Sequence, residues 1–113
     1  SQINHCAFCV DINAATLEKR GVSEEKILSL HGWREDDNFG PIERAALDYA
    51  EAMTYTDGEI TETMSSELKN HFDDDAIVEL TGLIAFQNMS SKFNAALDIP
   101  PQGFCHVPNL DVD

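Results

Sequence analysis

The stretch "DDDAIVELTGLIAFQNMSSKFNAAL", residues 73–97, constrains the fold more than any other part of the chain. It opens with an aspartate cap and an acidic first turn, both favourable against a helix dipole. Its middle, residues 76–86, is apolar on most sides, and such a helix is expected to pack against several neighbours or in a subunit interface. The remainder follows the same periodicity. Ile3, Ala7, Val10, Ala14 and Leu17 recur at three- and four-residue steps, which predicts a helix over residues 3–20 that ends at Gly21. Ser23 is an N-cap for a second helix carried by Ile27, Leu28, Leu30 and Trp33 to about Asp36. Pro41 suits a first helical position, with Ile42, Ala45, Ala46, Tyr49, Ala50 and Met53 behind it on one face. Thr61 precedes a shorter amphipathic helix through Met64, Leu68 and Phe72. No strand-length alternating run is present, so the expected class is all-α, a bundle of about five helices. Residues 1–113 read as a single domain, with a cysteine-bearing helix over residues 1–20 and an irregular tail over 98–113.

Composition narrows the partners. With 21 acidic and 7 basic residues the net charge is −14. The clustered Lys and Arg that nucleic acid and anionic membrane surfaces require are therefore missing. No run approaches the roughly 20 apolar residues that span a bilayer. The opening "SQINHC" carries neither the basic nor the apolar region of a secretory signal, and the expected location is the cytoplasm. It also lacks a methionine, so Ser1 is not taken as the natural start. The acidic runs Asp36–Asp37 and Asp73–Asp75 read as caps and solvated surface, because they lack the alternating ligands of a calcium loop.

Cys6 and Cys9 lie three apart, on one side of a helix's first turns and within reach of a disulfide. A thiolate beside a second thiol is the minimal apparatus for attacking a peroxide or a disulfide and resolving the product. Two other readings stand beside this one: a pair of small buried hydrophobes, and a zinc-like site completed by Cys105 and His106 from the tail. Haem attachment fails because Val10 stands where a histidine is needed, and a thioredoxin-type site fails because no strand precedes the pair. No cofactor and no metal is expected. Asp11 and Glu18 are assigned to a solvated face, and His5 points about 100° away from Cys6 if the helix already includes it. His31, among Leu28, Leu30 and Trp33, reads as a core or interface histidine.

Three stretches carry a resemblance. "SQINHCAFCVDIN" is similar to an S-x-x-N-x-C-x-[YF]-C-x-x-x-H segment through Ser1, Asn4, Cys6, Phe8 and Cys9. "WREDDNFGPIERAALDYAEAMT" is similar to W-R-E, E-R-A-A-L and E-A-x-T signatures, and "LIAFQNMSSKFNAALDIPP" to a last helix with an N-x-[WF]-N-R-like stretch. Together they resemble the carboxymuconolactone decarboxylase and alkylhydroperoxidase D-like (AhpD-like) family. The resemblance implies helical subunits assembled as trimers or hexamers, and thiol peroxidase or disulfide-reductase chemistry on a peroxide or disulfide substrate. It also implies Cys9 as the attacking thiol and Cys6 as the resolving one. Asn13 stands where the family's proton-relay histidine is found, and asparagine can hydrogen-bond a thiolate but cannot accept its proton. Two alternatives remain open. One is a catalytically degenerate oligomeric scaffold for binding or redox sensing. The other, lactone decarboxylation, is weakened by the redox pair and by the dispersal of Arg34, Arg44 and Lys92.

Overall fold

The computed structural model describes residues 1–110. Five α-helices run in order: α1 (Ala7–Lys19), α2 (Glu24–Ser29), α3 (Pro41–Thr54), α4 (Glu62–His71) and α5 (Asp74–Ala96). A 3-10 segment, Leu30–Glu35, continues α2. Among the described residues there is no strand, and the class is all-α. The expected tail is irregular as far as residue 110, and its last three residues lie outside the described residues.

Local chemistry explains where most helices start. Ser23 Oγ accepts the Lys26 N–H at 3.2 Å, Thr61 Oγ1 that of Met64 at 3.2 Å, and Asp73 Oδ1 that of Ala76 at 2.8 Å. Each satisfies one amide that the first turn leaves unpaired. Pro41 opens α3, and the Glu43 carboxylate reaches back to accept the Gly40 N–H at 3.3 Å. Gly21 closes α1 at φ +85°, a conformation that a Cβ disfavours. Gly58 is required for a different reason: a Cβ there would sit 2.1 Å from the Ala52 carbonyl oxygen at the end of α3.

Two boundaries differ from the periodicity. α1 starts at Ala7 and not Ile3, because Ser1–His5 form a turn in which the His5 N–H bonds the Gln2 carbonyl at 3.1 Å. His5 sits at φ +54°, outside the helix, so its expected helical direction does not apply. The second helix breaks near Gly32 (φ −114°, ψ 34°), where the backbone tightens to seat Trp33. Its indole is buried, donates to Glu51 Oε1 at 2.8 Å, and carries the Arg34 guanidinium 4.3 Å from its ring centroid. Arg34 also pairs with Asp48 at 2.6 Å and Glu51 at 2.8 Å on α3. Arg44 donates to the carbonyl of Arg34 in the 3-10 segment and to those of Asp36 and Phe39 in the loop that follows. The W-R-E and E-R-A-A-L stretches thus form a clasp that fixes α3 against the 3-10 turn.

Ala14, Ile27 and Val107 form a buried core, with Leu17, Val22, Leu28, Cys105 and Leu110 packed around it. The tail therefore folds back onto α1 and completes the core. α1 also packs on α5, and α3, α4 and α5 pack on one another.

Candidate functional site: the Cys6–Cys9 pair

Cys6 is the N-cap of α1, with extended backbone (φ −95°, ψ 94°), and its Sγ accepts the Cys9 N–H at 3.1 Å. This geometry folds the Cys6 side chain over the first turn and toward the side chain of Cys9. The two are joined as a disulfide with Cα atoms 5.2 Å apart. Both are buried, at 1% and 2% exposure. The first turn of α1 contains no acidic residue, so nothing there offsets the positive end of the helix dipole. If the disulfide opens, the positive end of the helix favours thiolate in the pair, and the Cys9 amide donates to the Cys6 sulfur.

The opposing wall is α5. Asn94 Nδ2 lies 3.7 Å from Cys9 Sγ and 3.3 Å from Ser90 Oγ. Gln87 Nε2 donates to Ser91 Oγ at 3.0 Å and to Ser1 Oγ at 3.1 Å, and Ser91 is fully buried. Asn4 Nδ2 donates to Asn88 Oδ1 at 2.7 Å, whose own amide reaches Thr54 Oγ1 at 3.2 Å. Gln87, Ser91 and Asn94 follow steps of four and three, and so do Cys6, Cys9 and Asn13 in reverse order. Two matching stripes therefore meet in a seam of amides, hydroxyls and sulfurs. Among the described residues, no buried side-chain nitrogen or oxygen in this seam or elsewhere lacks a partner.

Asn13 lies on the face of α1 that bears Cys9, but its Nδ2 donates to Ser1 Oγ at 2.9 Å and not to a sulfur. The amide beside Cys9 is that of Asn94, which sequence reasoning missed. The available signal was the polar stripe along an otherwise apolar helix.

Asp11 reverses its expected placement on a solvated face. It is 3% exposed, and its carboxylate accepts the N–H groups of Gln102 at 2.8 Å, Phe104 at 3.1 Å and Cys105 at 2.8 Å. Burial pushes its pKa up. The backbone groups of Cys105, Phe104, Gln102 and Gly103 outweigh that effect and hold the carboxyl below the usual aspartate range. Asp11 is roughly 200° around α1 from Cys9, so the tail clamps the side of the helix away from the pair. Glu18, on that same side, accepts the His106 N–H at 3.1 Å.

Cys105 and His106 therefore do not join Cys6 and Cys9. Among the described residues, no group of three or more His, Cys, Asp or Glu side chains could hold a metal ion. His31 is exposed and not part of the core, with Nδ1 2.8 Å from the Leu28 carbonyl. An open cavity of roughly 430 Å³ lies between α1 and α3, lined by Val10, Asn13, Leu17, His31 and Leu47 among others; neither cysteine lines it. Val10 follows Cys9 directly, and Asn13 lies one turn on.

The first 52 residues match the model of the carboxymuconolactone decarboxylase family. This segment contains the cysteine pair, Asn13 and the whole Trp33–Arg44–Glu51 clasp. The chain is 43% identical over 108 residues to uncharacterized protein YnjA of Escherichia coli (strain K12), covering 96% of this chain and 59% of that protein. It is 32% identical over 98 residues to uncharacterized protein YdfG of Bacillus subtilis (strain 168), covering 86% of this chain and 67% of that protein. The chain thus spans about three-fifths of the length of the Escherichia coli relative. The matched signatures and the helical fold that positions them lead to one assignment: this chain belongs to the carboxymuconolactone decarboxylase family.

Proposed function

We propose that the chain is a thiol-dependent antioxidant-type protein that cycles Cys6 and Cys9 between dithiol and disulfide. The observation that carries this reading is the disulfide itself, held at the start of α1 against the polar face of α5. In the reduced pair, the Cys9 thiolate attacks the outer oxygen of an organic hydroperoxide. The O–O bond breaks, the alkoxide leaves with a proton as alcohol, and Cys9 becomes a sulfenic acid. The Cys6 thiolate then attacks the Cys9 sulfur, expelling hydroxide, which leaves as water, and restoring the disulfide. Two thiols of an external reductant return both electrons and are themselves oxidised to a disulfide. The cavity beside Val10 and Asn13 offers an apolar wall for the organic part of the peroxide. The proposed setting is the cytoplasm, where thiol reductants are available.

In this reading Asn13 limits the rate, because it cannot take the thiol proton or return it to the leaving alkoxide. Asn13→His is expected to raise peroxide turnover about a hundredfold in an assay coupled to a small dithiol, at the low end of general-base effects. A histidine variant that folds and shows no gain would contradict the assigned role of position 13.

A second element of the proposal is self-association through α5. Val78, Leu83, Phe86, Met89, Phe93 and Leu97 are all 59–70% exposed, a larger apolar surface than a monomer usually leaves in water. A trimer or hexamer would cover it. Sedimentation of Phe86→Glu/Phe93→Glu is expected to give monomers where the parent gives oligomers; a monomeric parent would remove this element. No helix among the described residues is long and apolar enough to cross a membrane.

A further inference from the structure

We propose that Asn94 is the residue that holds the Cys9 sulfur as a thiolate when the pair is open, and that it thereby sets how readily the pair is reduced. This rests on reading Cys6 and Cys9 as a redox pair. The amide nitrogen lies 3.7 Å from Cys9 Sγ, within hydrogen-bond reach of a sulfur. An amide nitrogen can only donate. A donor aimed at a sulfur stabilises the thiolate more than the thiol. The same nitrogen lies 3.3 Å from Ser90 Oγ one turn earlier on α5, which orients the amide. Backbone anchors it further, since the Ile99 N–H bonds the Asn94 carbonyl at 3.0 Å where the tail leaves α5.

Two features make this contact decisive. Both sulfurs are buried, so water is poorly placed to replace a lost donor. The two sulfurs also have unlike partners. Cys6 Sγ receives the backbone N–H of Cys9, which no side-chain substitution removes, whereas Cys9 Sγ is met by Asn94, the one side chain that donates to either sulfur among the described residues. Reduction breaks the S–S bond, puts one electron pair on the two sulfurs and oxidises two external thiols to a disulfide. The hydrogen bond from Asn94 acts on the Cys9 half of that product.

The test is the pH dependence of Cys9 alkylation by iodoacetamide in the reduced full chain carrying Cys6→Ser. Peptide mass spectrometry keeps Cys105 separate. Asn94→Leu is expected to move the alkylation midpoint upward, lowering the thiolate fraction at neutral pH about tenfold. Asn94→Asp, which replaces the donor by a negative oxygen, is expected to move it further. With Cys6 intact, at a pH above the midpoint, Asn94→Leu should make the disulfide about tenfold harder to reduce against a glutathione buffer. A merely structural Asn94 would lower the melting temperature and leave the midpoint where it was, and that result would overturn the proposal. If leucine is not accommodated, Asn94→Ala removes the donor with a smaller side chain and gives the same reading. None of these measurements requires peroxide turnover, so an inactive protein with a shifted midpoint would sink the peroxidase reading and leave Asn94 in place.

Discussion

Cys9→Ser is expected to abolish peroxide-dependent turnover, while Cys6→Ser should still consume about one peroxide per chain before it stops. The difference follows from the positions of the two sulfurs. A serine hydroxyl at position 9 is not ionised at neutral pH and cannot attack the peroxide oxygen. Serine at position 6 preserves the fold, because its oxygen can take over the N-cap bond to the residue-9 amide. That variant keeps the attacking thiol and lacks the thiol that resolves the sulfenic acid. Either substitution also removes the disulfide, a closure of a very short loop worth roughly 2 kcal/mol. Activities are therefore to be compared with the reduced parent at a temperature where all three proteins are folded. Full turnover by Cys9→Ser would show that the nucleophile lies elsewhere.

The second large effect is on stability. Asp11→Ala leaves the N–H groups of Gln102, Phe104 and Cys105 without their acceptor. Hydrogen bonds to a charged group contribute about 1.5–3 kcal/mol each, and the freed tail recovers part of the loss by reaching water. The expected cost is about 4 kcal/mol, a large share of a typical domain's stability. Asp11→Asn keeps the shape and one accepting oxygen and is expected to lose about half as much. The pH dependence has a definite sign. The folded state holds Asp11 below its usual pKa, so its contribution is complete above the unfolded value and disappears as pH falls through the lowered folded value. The parent should therefore lose stability on acidification more steeply than Asp11→Asn. Denaturant melts at neutral and acidic pH read both effects. Equal stability of parent and Asp11→Ala at neutral pH would mean that the tail is not clamped through this carboxylate.

Asp11 also marks the limit of what the sequence makes legible. The starts of α2, α3, α4 and α5 can be read from Ser23, Pro41, Thr61 and Asp73, because capping is satisfied within three residues of the cap. The partners of Asp11 lie 91, 93 and 94 residues away and are backbone amides of an irregular segment. No side-chain pattern encodes them, so an isolated aspartate after Val10 looks like solvated surface. The start of α1 misleads for a related reason: Ile3 fits the apolar period, yet Ser1–His5 turn and a cysteine takes the cap usually given to Ser, Thr, Asp or Asn. The cysteine pair itself is legible from its spacing. Asn94 is not, since its role depends on α5 lying across α1, although the polar stripe it shares with Gln87 and Ser91 was visible in an apolar helix. The apolar breadth of α5 is also legible, and its uncovered half is what the proposed self-association would bury.

The most direct test of the redox account is to reduce the chain, remove the reductant, add one equivalent of an organic hydroperoxide, and count free thiols and remaining peroxide in the same sample. The expected result is rapid loss of two thiols per chain, matched by peroxide consumption, with Cys105 still free and Cys6 linked to Cys9. Intact thiols beside unspent peroxide would contradict it, and would leave a family scaffold whose disulfide has no peroxidase role.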